Sequence, residues 1–141
     1  MQAIPFGLFL LLLPSARGYV YERCELAREL YYEHGFIRST LGNWVCLIYH
    51  ESGYNTSQLK GPGSGGSYDH GLFSIYDGFW CFPPGDFADC DVACEDLRND
   101  DITDDVGCAR FIWDNEGFMA WHGWQENCMG TDVNSWVSDC F

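Results

Sequence analysis

Apolar residues recur at intervals of three and four along four stretches of the chain, and at intervals of two along one. Over residues 22–34, Cys24, Ala27, Leu30 and Tyr31 fall on one side, and Gly35 stands where a helix would end. Over 41–51, Trp44, Leu47, Ile48 and Glu51 share a face, and Gly53 offers the left-handed position that commonly closes a helix. Residues 103–113 keep Val106, Ala109, Arg110 and Trp113 in step, and 118–128 places Trp121 and Trp124 on adjacent turns. Tyr68 to Trp80 instead alternates, with Phe73, Ile75 and Phe79 pointing one way, as short antiparallel strands do. The Gly- and Pro-rich run Lys60-Gly-Pro-Gly-Ser-Gly-Gly66 predicts a loop or hairpin turn, and 82–89 a further loop. Helices before and after one small sheet predict an α+β fold, with a cleft between a helical lobe and a β lobe.

The first 18 of the 141 residues are set apart from this pattern. Ile4 to Pro14 is an apolar run too short to span a bilayer, and Ser15-Ala16-Arg17-Gly18 follows it. The small residues suit signal-peptide cleavage after Gly18, which predicts a secreted, soluble domain over 19–141. That length is enough to bury one core.

Charge narrows the partners. Seven basic residues face 21 acidic ones, a formal net charge of −14, and loss of Arg17 takes the mature chain to about −15. Such a surface repels nucleic acid and anionic membranes and attracts cations, so neither DNA, RNA nor lipid is expected as a partner.

All eight cysteines (24, 46, 81, 90, 94, 108, 128 and 140) lie beyond the cleavage site. In an exported chain an even count reads as four disulfides, with about 105 pairings open to sequence alone. Zinc is the competing reading, raised by Cys90-Asp-Val-Ala-Cys94 and four histidines, and opposed by the absence of a paired CxxC.

Glu51 is the first candidate for chemistry. At the last turn of its helix it meets apolar neighbours and the negative end of the helix dipole, both of which favour a protonated carboxyl, the form a general acid needs.

In order, these elements resemble the C-type lysozyme and α-lactalbumin family (glycoside hydrolase family 22) over essentially the whole mature chain. The resemblance rests on Tyr21-Glu-Arg-Cys-Glu-Leu-Ala-Arg28, Asn43-Trp-Val-Cys-Leu47 and Glu51-Ser-Gly-Tyr-Asn-Thr56. It rests also on Gly71-Leu-Phe before Trp80-Cys81, on Cys90-x-x-x-Cys94 and on Ala120-Trp-x-Gly-Trp124. Phe118-Met-Ala-Trp-His-Gly-Trp124 and the ending Ser138-Asp-Cys-Phe141 look most like arthropod members. The resemblance implies Cys24–Cys140, Cys46–Cys128, Cys81–Cys94 and Cys90–Cys108 pairings. It implies Glu51 as general acid and Asp69 as nucleophile or stabiliser of the sugar cation, for which lysozyme is the type case. It further implies Trp121 as an apolar wall beside Glu51, Phe79 and Trp80 as a sugar platform, and Asp114 and Ala120 as cleft contacts, while Trp124 reads as core.

Three departures bear on activity. Gly63 and Tyr76 stand where active members support Asp69 with amides, Ser74 replaces a cleft Gln, and His70 replaces a Tyr. His70, and His50 beside Glu51, would compensate Asp69 only if protonated, and read more simply as cleft-edge residues.

Asp96-Leu-Arg-Asn99-Asp-Asp101-Ile-Thr-Asp104-Asp105 resembles the calcium loop of α-lactalbumin and the calcium-binding lysozymes. That resemblance gives Asp96 and Asp101 as backbone ligands and Asn99, Asp104 and Asp105 as side-chain ligands of a structural calcium; catalysis itself is expected to need no cofactor. The competing reading is an acidic helix N-terminus. Asn55-Thr56-Ser57 is an N-glycosylation sequon. The sequence therefore predicts a secreted, monomeric muramidase acting on peptidoglycan or chitin-type oligosaccharide, the alternative being an inactive lysozyme-like binding module.

Overall fold

The helix Arg38–Ser52 (α2) forms the spine of the molecule, and the rest packs around it. Leu41, Trp44, Val45, Cys46, Leu47 and Ile48 are all buried along it. Each fully buried Leu or Ile contributes about 1.5–3 kcal/mol relative to exposure, which ranks this helix first among the contributors to the core. It ends at Gly53, whose backbone is left-handed (φ 60°, ψ 30°) and whose N–H donates to Tyr49 O at 2.9 Å. Residues 18–84 and 89–141 are described by the structure, a computed structural model. Residues 1–17 of the proposed leader 1–18, and part of the 82–89 loop, lie outside the described residues.

Ahead of the spine, Arg23–Tyr32 (α1) is capped by Glu22, whose carboxylate accepts from the Cys24 and Glu25 N–H groups while Glu25 answers with a bond to the Glu22 N–H. This reciprocal cap fixes the start that spacing alone predicts. Thr103–Glu116 (α3) buries Val106, Cys108, Ala109 and Ile112 and runs three residues further than its expected end.

The fourth helix departs more. A single helix over 118–128 is replaced by a 3-10 turn at Gly117–Ala120, an extended Trp121 (φ −108°, ψ 118°) and a short helix His122–Asn127 (α4). The break lets the Trp121 indole enter the core against Trp44, ring centroids 5.5 Å apart, and donate from Nε1 to Phe73 O at 2.8 Å. A continuous helix would hold Trp121 on an outer turn and leave that buried carbonyl without a donor.

Three two-residue strands, Leu59–Lys60 (β1), Asp69–His70 (β2) and Ile75–Tyr76 (β3), form an antiparallel sheet in sequence order. The register sets Lys60 opposite Asp69 and Asp69 opposite Tyr76. Phe73 and Ile75 are buried, but Phe79 is 65% exposed, so the alternation does not continue to Trp80. The chain turns at Gly71–Ser74, where Ser74 N donates to Gly71 O, and again after Tyr76, whose O accepts from Trp80 N. Gly71 is required at that first turn. Its φ is 79°, and a Cβ there would meet Leu97 O at 1.9 Å.

The four disulfides are Cys24–Cys140, Cys46–Cys128, Cys81–Cys94 and Cys90–Cys108. No cysteine is free, and zinc is left without thiolate ligands.

Candidate active site

Between the helical lobe and the sheet lies a cleft of about 860 Å³. The end of α2 delivers Glu51 to it, β1 delivers Lys60, and β2 delivers Asp69. Tyr76, Phe79, Trp80, Ala120 and Trp121 line the same space. Thus two carboxylates from opposite lobes share an aromatic-walled groove. Asp114 is placed elsewhere. It lines a separate pocket of about 210 Å³ with Phe36, Trp44, Arg110 and Trp113, while Glu116 borders the cleft.

The Glu51 carboxylate is held on both oxygens. Oε1 accepts from Lys60 Nζ and Oε2 from the Gly123 N–H, each at 2.9 Å. Its own backbone O accepts from Ser74 Oγ at 2.9 Å, so Ser74 braces the helix end. Neither Lys60 nor the Gly123 amide follows from the apolar surroundings that the sequence suggests for Glu51. The signal available was that Lys60 is the only lysine in the chain and stands immediately before a glycine-rich turn.

Asp69 is half-buried at the opposite side and receives no hydrogen bond to its carboxylate among the described contacts. Burial raises its pKa above the ordinary range, the nearby Lys60 ammonium opposes that rise, and Glu51 and Asp77 add to it. Tyr76 and Gly63 give it no amide, as their side chains dictate.

His70 does not stand at the cleft edge as a cation. It is buried, its Nε2 lies 3.1 Å from Asp77 Oδ2, and its Nδ1 lies 3.1 Å from Arg98 Nε. Asp77 Oδ2 also accepts from the Tyr68 N–H. His50 is exposed and packs edge-on against Tyr49 and Trp136. Trp124, expected in the core, is partly buried, stacked on Phe118 and bonded through Nε1 to Asn43 Oδ1 at 2.9 Å.

In the acidic loop, Asp105 is fully buried; among the described residues neither carboxylate oxygen has a partner in good hydrogen-bond geometry, and only the backbone N–H groups of Leu72 and of Asp105 itself favour its ionised form. Burial pushes its pKa up to about 8. Asp96 and Asp104 are exposed, Asn99 Oδ1 accepts from the Asp101 N–H, and Asp101 Oδ1 accepts from Thr103. An orphaned buried carboxylate at the mouth of such a loop fits a hard cation, whereas Asn99 as placed is committed to its own turn. Asn55, in the sequon, accepts from Ser57 N and Oγ, and Thr56 is buried.

A groove with an acid on a helix end, a second carboxylate on a strand and aromatic walls defines the glycosidase class of site. Comparison with known proteins narrows it. The sequence profile of the C-type lysozyme/alpha-lactalbumin family matches residues 19–140. Lysozyme c-1 of Anopheles gambiae is 40% identical over 126 residues, covering 89% of this chain and 88% of the relative. The Bombyx mori lysozyme is 39% identical over 140 residues, covering 96% and 99%. The crystal structure of a lysozyme from Litopenaeus vannamei superposes with a TM-score of 0.81 at 28% identity, covering 87% of this chain and 98% of that one. The chain belongs to the C-type lysozyme/α-lactalbumin family.

Proposed function

We propose that the protein is a secreted muramidase, hydrolysing the β-1,4 link between N-acetylmuramic acid and N-acetylglucosamine in peptidoglycan and lysing bacteria in defence or digestion. The observation that carries this reading is that Glu51 and Asp69 reach one cleft from opposite lobes, with Trp80 and Trp121 along its walls. Glu51, as the acid, gives its proton to the leaving glycosidic oxygen; Asp69 stabilises or bonds the anomeric carbon; Glu51 then takes a proton from the incoming water. Phe79, exposed on the β lobe, and Trp80 offer the rings on which a saccharide stacks, and Ala120 lets the sugar approach the groove.

Export is supported by four disulfides, which persist in oxidising compartments. Tyr19 N donates to Thr56 Oγ1 and Asp100 Oδ1, so cleavage after Gly18 would place a new α-ammonium directly against a carboxylate. The mature protein is a monomer in this reading.

In this reading Asp96 and Asp101 through their carbonyls, and Asp104 and Asp105 through their carboxylates, would hold a structural calcium, with Asn99 joining only by giving up its bond to the Asp101 N–H; the buried Asp105 carboxylate is the support. When bound, the ion neutralises buried charge and stabilises the native state.

A binding module is the second reading. It is favoured by one observation: Asp69 lacks the donors that keep a carboxylate ionised, while Lys60 occupies Glu51. A turbidity assay on bacterial walls from about pH 3 to about pH 8, with Glu51→Gln as control, decides between the two. Lysis abolished by the substitution establishes the enzyme. Binding of chitin oligomers with no cleavage of them or of walls at any pH establishes the module.

A further inference from the structure

We propose that Lys60 is a positioning residue whose ammonium is shared in turn by the two cleft carboxylates, held on Glu51 in the free site and on Asp69 when Glu51 carries its proton. The inference rests on the glycosidase reading above and assigns the site a third charged member.

Geometry makes the sharing feasible. Lys60 Nζ is 2.9 Å from Glu51 Oε1, and Lys60 is the cross-strand partner of Asp69 in the β1–β2 ladder. Its side chain is 36% exposed while that of Glu51 is 10% exposed, so the mobile partner of the pair is the lysine. A lysine carries its charge on a four-carbon stem with rotatable bonds, and can swing between neighbours where an arginine fork is committed to one. Asp69, for its part, is half-buried with no hydrogen-bond donor among the described residues, and Lys60 is the leading group that favours its ionised form.

The charge balance of the reaction gives the swing a direction. Before proton transfer the pair holds one negative charge, on Asp69, with Glu51 neutral. The glycosidic C–O bond then breaks, the Glu51 proton goes to the leaving oxygen, and the negative charge appears on Glu51. Asp69 is neutralised at that moment by the bonded or cationic anomeric carbon. One ammonium placed between them follows the charge from strand to helix and favours the step in which Glu51 gives up its proton. The bond seen in the free protein is the end state of that movement. In this sequence the ammonium takes over what amide donors at positions 63 and 76 would supply, because neither Gly63 nor Tyr76 offers an amide side chain.

Other charged groups face the pair and stay in place during the movement. Glu116 at the end of α3, and His122 and Glu126 on α4, border the cleft; His50 precedes Glu51; Asp77, His70 and the partly buried Arg98 form a chain behind Asp69. None of them bonds either carboxylate among the described contacts.

The test compares Lys60→Met and Lys60→Arg with the wild type. In Lys60→Met, kcat/KM for a chitin oligomer falls at least about tenfold, and both limbs of its pH profile move up by about one unit, since each carboxylate loses a stabilising cation. Lys60→Arg, whose fork stays on Glu51, keeps the alkaline limb set by Glu51 and still moves the acid limb set by Asp69 upward. A merely structural role for β1 lowers kcat/KM without moving either limb, and that result overturns the proposal. Carbon-13 NMR titration of the two carboxyls in the same variants reads the coupling without turnover. If both carboxyls titrate identically in Lys60→Met and wild type, the proposal fails even for an active enzyme. If they shift while the wild type cleaves nothing, the shared ammonium stands and it is the muramidase reading that fails.

Discussion

Arg98 Nε lies 3.1 Å from His70 Nδ1, and because a guanidinium can only donate, the imidazole must accept there. The ring proton therefore sits on Nε2 and is donated to Asp77 Oδ2. A histidine that could have served as a cation beside Asp69 is instead a neutral relay in a buried chain. Proton-detected nitrogen NMR should show the imidazole proton on Nε2 and Nδ1 bare. Replacing the ring by His70→Leu removes one of the two donors on Asp77 Oδ2, whose Oδ1 already has none. We expect a loss of about 1–3 kcal/mol in urea unfolding, the usual cost of a buried polar group left unsatisfied.

Glu51→Gln keeps the shape of the acid and its Gly123 contact but removes the transferable proton. Turnover should be abolished, while oligosaccharide affinity on Trp80 and Trp121 stays within about threefold of wild type. Isothermal titration with a chitin oligomer measures the second quantity directly. A loss of both together would mean that Glu51 shapes the groove.

Calcium-free stability should fall with rising pH. Asp105 has its pKa pushed up to about 8 by burial, against 3.8 for an ordinary aspartate. The folded protein therefore binds a proton that the unfolded chain has lost, and stability declines as pH climbs from about 4 to about 8. Asp105→Asn should flatten that slope and be the more stable form at the alkaline end, by at least about 1 kcal/mol. Calcium should flatten the wild-type slope and raise its melting temperature, and should do neither for the variant. Urea midpoints at the two ends of the range, with and without calcium, check all three statements.

Lysis should respond to salt in the opposite sense from that of a basic lysozyme. With a formal charge of −14, the protein is repelled by an anionic wall at low ionic strength. Raising salt to about 0.1 M shortens the Debye length to about 10 Å and screens that repulsion. Initial rates on walls should rise over this interval, while rates on an uncharged chitin oligomer should not.

Helices α1, α2 and α3 were legible because their information is local. Apolar spacing, the Glu22–Glu25 cap and Gly53 act within a few residues. The fourth helix was misread because what decides it is distant: Trp121 leaves helical geometry to meet Trp44 and Phe73 O. Phe79 followed the strand period yet stands exposed, since the turn after Tyr76 breaks the register that the period assumes. At the site, Glu51 and Asp69 came from family motifs and share the cleft, whereas Asp114 lines a separate pocket. Lys60 escaped notice for a physical reason. It lies nine residues from Glu51 in a turn-rich segment without periodicity, and only the β1–β2 pairing folds it back over the helix end. His70 was misplaced likewise, because its two partners come from residues 77 and 98.

The chain has one lysine, at the tip of β1, with both Cys24 and Cys46 before it and their partners Cys140 and Cys128 after it. A lysine-specific protease acting on the oxidised protein would therefore make a single cut and release nothing. The product is a two-chain molecule in which one piece bears Glu51, the other bears Asp69, and two disulfides are the only covalent ties between them. Reduction would part the pieces into complementary half-sites, and mixing them before reoxidation would ask whether the cleft can be rebuilt by association alone.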